Sequence, residues 1–375
     1  MGLTNIRLGD YIERSTVNNK NLKYGTESIV GVNNQGVFAV PKGNTDGVDL
    51  QPYKIVDNGA FVYNPTRLEL GSIAYRTEGL CIVSHLYMVF YLTVEGKKII
   101  EPLWLYIYFR RSEFCREVNF RNFGSQRPEF NFDDMSDTIV PLPDIEIQRK
   151  YVNIYNTMLA NQQSYERGLE DLKLVCDAYI EGLRRKMHCE AIGPFIERHD
   201  VRNGSNGTKN VMGVSTAKEF REPTSKVNRN ELANYKVVKP RQFSFVQTTH
   251  NEKVFAYAFN NTNEDIVVTS VNEVFSVNED KLLPEYLSMF FNRTEFDRYA
   301  RFHSWGSARE TFTWDDLIKV EIPVADIRSQ KFIADIYTVY KERKKINEKL
   351  KAQIKDICPI LIKGSVEEGR KTKEA

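Results

Sequence analysis

Few of this chain's reactive side chains stand at spacings that chemistry uses. The five histidines, His85, His188, His199, His250 and His303, show no HxxxH or HxE pattern, so they do not read as a metal site. The five cysteines, Cys81, Cys115, Cys176, Cys189 and Cys358, are odd in number and contain no CxxC pair. That argues against a zinc knuckle or a disulfide framework and for a reducing compartment, the cytoplasm. Glu95-Gly96-Lys97 imitates half of a nuclease metal site, but no Pro-Asp stands suitably upstream. Asn64-Pro65-Thr66-Arg67 is the nearest approach to the Asn-Pro-Pro-Tyr loop of an amino-methyltransferase. It lacks the second proline and the aromatic that would stack on an extruded base. No GxGxxG or phosphate loop occurs. The sequence therefore predicts no catalytic residue, no metal ligand and no cofactor of its own.

What does recur is arginine interleaved with aromatic side chains. Arg110, Arg111, Arg116, Arg121 and Arg127 alternate with Phe109, Phe114, Phe120 and Phe123. Further on, Arg293, Arg298, Arg301, His303 and Arg309 alternate with Phe291, Phe296, Phe302 and Trp305. Arginine neutralises phosphates and reads guanine bidentately, while the aromatics are expected to support the core beneath. On a chain of 375 residues with a net charge of only +2, two local basic faces fit a clamp on nucleic acid better than a uniformly basic coat.

The two clusters are copies. Shifted by 182 positions, Pro102–Tyr155 meets Pro284–Tyr337 without a gap, and about 20 positions are identical where unrelated sequences give roughly 3. Tyr53-Lys54-Ile55-Val56 meets Tyr235-Lys236-Val237-Val238 at the same shift, and Leu8–Arg14 meets Ile192–Arg198 at a shift of 184. Where the copies differ, they differ at polar tips: Asn64-Pro65-Thr66-Arg67 stands opposite Val246-Gln247-Thr248-Thr249, after strands that align. One scaffold with unlike tips suits two heads that read two different sequences. The candidate DNA-binding residues are therefore Asn64, Arg67, Arg76, Gln126 and Arg127 in the first copy. In the second they are Thr248, His250, Asn251, Lys253, Ser307 and Arg309.

The elements that must position these residues are mixed. Apolar runs such as Ile29–Val32, Ile55–Tyr63 and Val254–Phe259, punctuated by Gly, Asn, Pro and Thr, read as strands and turns. Leu103–Phe109 and Pro284–Tyr299 read as helices. After Pro141-Leu142-Pro143, Asp144 stands as an N-cap, and no proline follows before Met187. Tyr155, Gln162, Leu169 and Cys176 recur every seven residues, with Met158, Tyr165, Leu172 and Tyr179 as the second seam. The second copy repeats the pattern from Asp326 through Ile336, Tyr340, Ile346, Leu350, Ile354, Ile357 and Leu361, with Pro359 expected to kink or end the helix. Helices of about 40 residues are about 60 Å long and pack best on each other. The expected fold class is α+β: two similar mixed α/β domains separated by two long antiparallel coiled-coil helices. The expected boundaries are a first domain at 1–143, a helix at 144–187, a second domain at 188–325, a helix at 326–364 and a disordered charged tail at 365–375. The longest apolar run, Leu80–Leu92, is broken by Ser84 and His85 and is too short for a membrane, and the N-terminus does not resemble a signal peptide.

Val140-Pro141-Leu142-Pro143-Asp144-Ile145-Glu146-Ile147-Gln148 before a long helix resembles the conserved region of specificity subunits of type I restriction–modification systems. Ile322-Pro323-Val324-Ala325-Asp326-Ile327-Arg328-Ser329-Gln330 matches more loosely. Leu8–Ile12 resembles the family's opening strand, Gly124-Ser125 and Gly306-Ser307 its small-residue turn, and Tyr63–Ala74 a loop of one class of its recognition domains. The family's Glu-Gln is Ile147-Gln148 and Ser329-Gln330 here. The resemblance implies a non-catalytic subunit whose two heads each read half of a split double-stranded DNA target. It implies helices that act as a ruler and dock two modification (adenine methyltransferase) subunits, through Pro141, Pro143, Gln148, Leu169, Pro323 and Gln330. S-adenosylmethionine, ATP and Mg would then belong to the methyltransferase and the restriction/translocase subunits. Two alternatives stand beside it: a self-contained modification or restriction enzyme with degenerate motifs, and a coiled-coil adaptor for proteins alone.

Overall fold

The computed structural model describes residues 3–41, 43–122, 129–205, 207–248, 254–305 and 310–374. The chain divides into two compact units: Met1–Ser164 with Asn347–Ala375, and Tyr165–Ile346.

In the first unit β1 (Thr4–Arg7) and β2 (Ile12–Arg14) are followed by the short pair β3 (Gly31–Val32) and β4 (Phe38–Ala39). Then come β5 (Lys54–Val56), β6 (Phe61–Tyr63), β7 (Ile73–Tyr75), β8 (Cys81–Val83) and β9 (Met88–Leu92). An antiparallel sheet in the order β2-β9-β6-β7 carries the core, where Phe61 and Phe90 stack at 4.9 Å between ring centres. Helices α1 (Gly96–Ile99), α2 (Pro102–Phe109), α3 (Ser112–Arg121) and α4 (Phe132–Ser136) follow. Trp104, Phe109, Phe114 and Phe130 complete this core with no exposed surface. Strand β10 (Ile139–Leu142) returns to pair with β1 and leads into α5 (Ile145–Lys186), whose first turns, Val152 and Tyr155, enter the same core.

The second unit repeats this plan. β11 (Cys189–Ala191), β12 (Ile196–His199), β13 (Gly213–Val214), β14 (Phe220–Arg221), β15 (Lys236–Val238), β16 (Phe243–Val246), β17 (Tyr257–Phe259), β18 (Ile266–Val268) and β19 (Asn272–Val277) form a sheet ordered β12-β19-β16-β17 and the same small pairs. Helices α6 (Pro284–Phe291), α7 (Thr294–Phe302) and α8 (Trp314–Leu317) precede β20 (Glu321–Pro323), which pairs with β11, and then α9 (Ile327–Glu374). The two-domain, mixed α/β architecture with two long helices is thus as the sequence predicts.

The heptad seam holds. Tyr155, Gln162, Leu169 and Cys176 are each at most 9% exposed, while Met158, Tyr165, Leu172 and Tyr179 are half-buried. Asp326 caps α9, accepting N–H bonds from Arg328 and Ser329 at 3.0 Å each.

Five expectations are corrected. Leu8–Ile12 is not one strand: Leu8–Asp10 is a tight turn between β1 and β2. Ile55–Tyr63 divides at Gly59, whose φ of +87° turns the chain between β5 and β6. In Val254–Phe259 only Tyr257–Phe259 is a strand. Pro284–Tyr299 is two helices, because Arg293 is extended (φ −71°, ψ 143°) and its buried guanidinium is tied to Asp177 at 3.3 Å and Glu181 at 2.5 Å. The expected tail is helix: α9 runs through Pro359 to Glu374. Its end is held because Cys358, Leu361, Ile362 and Val366 fill the first unit's core, and Trp104 donates from Nε1 to Ser365 Oγ at 3.0 Å.

Each unit thus takes the start of its own long helix and the end of the other. Cys176 and Ile180 of α5 enter the second core as Cys358 and Ile362 of α9 enter the first, again 182 apart. Burial pushes both thiols, Cys176 and Cys358, up to about 11.

Candidate nucleic-acid interface

In the first unit the 64–67 segment leaves the buried end of β6. Asn64 Oδ1 accepts from the Thr66 N–H (3.1 Å) and Oγ1 (2.9 Å), a local turn that fixes the tip. Arg67 follows, exposed, with no ion pair among the described residues. Gly71 closes the loop at φ +87°. Arg76, just past β7, is half-buried and lies 5.2 Å over the Phe38 ring, donating to the Gly79 carbonyl at 3.4 Å. Gln126 and Arg127 lie outside the described residues; beyond them the Phe130 N–H donates to Pro65 O of this loop at 3.0 Å.

The second unit has the same root. The Phe312 N–H donates to Gln247 O at 2.8 Å, the same bond 182 positions on. Thr248, half-buried, bridges Thr311, which itself pairs with Trp305 through bonds of 3.0 and 3.2 Å. His250, Asn251, Lys253, Ser307 and Arg309 lie outside the described residues, as does the small-residue turn in both copies. The described roots are therefore matched in the two heads, Pro65 with Phe130 and Gln247 with Phe312, and carry unlike residues.

The basic clusters divide by role. Arg110 is buried and ties the β3–β4 turn, through Asn34 O (3.3 Å), to the end of the 64–71 loop, through Gly71 O. In the second unit the same tie runs the other way: Lys218, in the β13–β14 turn at φ +63°, reaches Phe291 O (2.7 Å) and Asp297 (2.8 Å). Its counterpart is Gly36 at φ +76°. Arg111 packs on Tyr108, Arg121 pairs with Glu117 and Arg293 is buried. These arginines are structural. Arg116, Arg298 and Arg301 remain exposed.

Not every aromatic supports the core. Phe120 and Phe302, matched positions, are 82% and 78% exposed, and Trp305 is 74% exposed beside the second loop root. Residue type misled here, since helical position alone places Phe120 opposite Phe114 and Val118.

The proline–glutamine element is also reassigned. Gln148 and Gln330 are wholly buried within their own units. Gln148 accepts from the Glu101 N–H (2.8 Å) and donates to Ile99 O (2.8 Å) and Pro143 O (2.6 Å). Gln330 does the same with Leu283, Lys281 and Ala325 at 2.8, 2.8 and 2.7 Å. Each glutamine locks a long helix to its own head. Pro143 and Pro323 are buried within their own units, Pro141 pairs with Asn5, and Leu169 is buried on the seam.

Glu95 pairs with Lys98 at 2.6 Å on the surface. Among the described residues no cluster of three His, Cys, Asp or Glu is placed to hold a metal, and no helix is long and apolar enough to cross a membrane.

Residues 3–171 match the sequence profile of the type I restriction modification DNA specificity domain. Solved structures similar over nearly the whole chain include the type I restriction-modification system S subunit from M. genitalium, at 9% identity, TM-score 0.58 and coverage of 98% of this chain and 96% of that one. The HsdS subunit from Thermoanaerobacter tengcongensis is 15% identical, with TM-score 0.41 and coverages of 97% and 96%. A structure described as showing complex assembly and conformational transition of the type I R-M system is 14% identical, with TM-score 0.47 and coverages of 97% and 97%. No curated protein matches the chain.

Proposed function

We propose that this protein is the specificity subunit of a type I restriction–modification complex, because residues 3–171 match the profile of the type I restriction modification DNA specificity domain and the rest of the chain repeats its elements. Each head reads one half of a bipartite DNA target. The long helices α5 and α9 set the spacing and dock two adenine methyltransferase subunits. The chain performs no chemistry. S-adenosylmethionine, ATP and Mg act on the partner methyltransferase and restriction subunits, in the cytoplasm.

One observation carries this reading: the same backbone bond, Phe130 to Pro65 and Phe312 to Gln247, roots paired segments with unlike tips in both heads. Base-reading side chains need a rigid origin and freedom to differ between half-sites. Asn64, Arg67, Arg76, Gln126 and Arg127 are the readers of the first head. Thr248, His250, Asn251, Lys253, Ser307 and Arg309 are those of the second. The test is methylation-sensitive sequencing of DNA from cells expressing the chain with its methyltransferase. A split motif with two modified adenines is expected. Methyl transfer by the chain alone, or no motif in the complex, refutes the proposal.

A further inference from the structure

In the second head, two cations close on one carboxylate. Arg198 on β12 grips Glu273 with Nε and Nη2 at 2.8 and 2.7 Å. Lys236 on β15, with 6% of its side chain exposed, lies 3.6 Å from the same Glu273 and 3.4 Å from Asp200. Gln247, at the root of the reading loop, also donates to Glu273, at 2.5 Å. Through Gln247 this polar knot meets the described root of the second head's 246–249 segment.

The first head keeps the cations and lacks the counterparts of Glu273 and Asp200, while Asp133, the counterpart of the Asp315 that acts on Arg198, remains. Arg14 pairs with Phe90 as Arg198 pairs with Phe275, and Lys54 pairs with Val83 as Lys236 pairs with Val268. Register then decides the third position: Glu273 faces Phe245, and its counterpart facing Tyr63 is Met88. At the shift of 184 Asp200 becomes Thr16. Lys54 is 8% exposed, and its Nζ donates to Tyr87 O at 2.6 Å, next to Met88. Arg14 is exposed, and neither cation has an ion pair among the described residues. Burial and, after it, the charge of Arg14 lower the Lys54 pKa, so the two cations repel each other and neither has an ion-pair partner among the described residues. A buried cation without one favours any anion that fits.

We propose that Arg14 and Lys54 form a phosphate-binding pair in the first head, at the place where the second head supplies its own anion, Glu273. The pair lies at the root of the 64–67 loop, where a DNA backbone phosphate would pass. This rests on the DNA-reading function for the source of the phosphate, and not for the site itself. A consequence is asymmetry: the first head takes one more phosphate than the second.

The test installs the second head's solution in the first. Met88→Glu and its neutral isostere Met88→Gln are compared in the full chain bound to its methyltransferase, by DNA titration from about 50 to 300 mM salt. Met88→Glu is expected to lower the salt slope by about one unit and affinity by about eightfold at 0.1 M salt. Met88→Gln stays near wild type. Arg14→Gln, on the surface and harmless to folding, should give the same loss of slope as Met88→Glu. In parallel, the melting temperature of the chain alone is followed with inorganic phosphate against chloride at equal ionic strength. A phosphate-dependent rise in wild type that Met88→Glu abolishes, with the DNA slope unchanged, assigns the pair to free phosphate and still supports the site. Equal effects of Met88→Glu and Met88→Gln, or no effect of Met88→Glu in either arm, overturn it. If the wild-type complex shows no salt-dependent DNA binding, the specificity-subunit reading fails, and the phosphate arm alone decides the pair.

Discussion

Replacing Gln148 by leucine probes the joint between head and ruler. The side chain has no exposed surface and makes three bonds, to Glu101 N–H, Ile99 O and Pro143 O. Leucine keeps the bulk and removes all three, leaving one donor and two acceptors short of a partner. An unsatisfied buried group costs about 1–3 kcal/mol. Pro143 O is fully buried and bears the larger cost, while the other two sites are partly wetted, so the sum is about 3–5 kcal/mol. Against a typical total of about 5–15 kcal/mol this takes much of the first unit's stability. Trp104 is the first unit's single tryptophan, the other two being Trp305 and Trp314. In a Trp305→Phe, Trp314→Phe background, urea unfolding followed by fluorescence therefore reports on the first unit alone. Gln148→Leu should shift that transition by the amount above, and Gln330→Leu should leave it largely in place while destabilising the second unit. A shift below about 1 kcal/mol, or equal effects of the two substitutions on Trp104, would show that the glutamines are not the lock.

Deleting residues 358–375 removes Cys358, Leu361, Ile362 and Val366 from the first core; at about 2 kcal/mol or more for each large aliphatic, the Trp104 transition should vanish while the second unit still unfolds cooperatively. Arg67→Ala should relax one base position of the first half-site, at about 1–3 kcal/mol, with methyltransferase co-purification retained; loss of co-purification would place Arg67 elsewhere. Lys218→Met breaks a buried pair and strands Asp297, costing about 3–5 kcal/mol in the second unit's urea midpoint. Hydrogen bonds from Arg293 hold the Glu181 carboxyl below its ordinary value, and bonds from Ser329 do the same for Asp326. The folded protein then binds fewer protons than the unfolded one. Their stabilisation is complete above the ordinary values of 4.5 and 3.8 and is lost as pH falls through the depressed ones. Urea midpoints from neutral to acid pH should therefore fall below about pH 4.5, less steeply in Glu181→Gln.

Much of this protein is written locally. The duplication shows because identities at polar positions, such as Arg111/Arg293 and Gln148/Gln330, survive a gapless shift. The helices α5 and α9 show because their seam repeats every seven residues, and proline and aspartate mark where they begin. The unlike tips after β6 and β16 show because the strands beneath them align. Tertiary structure decided what a single element cannot encode. Gln148 looked like a surface motif, and only the fold brings Ile99, Glu101 and Pro143 around it. The charged end of α9 read as a tail, because its few apolar residues find their partners more than 200 positions away, in the head that holds Trp104. Arg14, Lys54 and Met88 say nothing in sequence; they come together only when β2 pairs with β9 and β5 with β8 in register. The physical reason is common to all three. Periodicity records which face of one element leaves water. The partner that satisfies a buried hydrogen bond or charge comes from another element, and its position is fixed by strand register and helix packing.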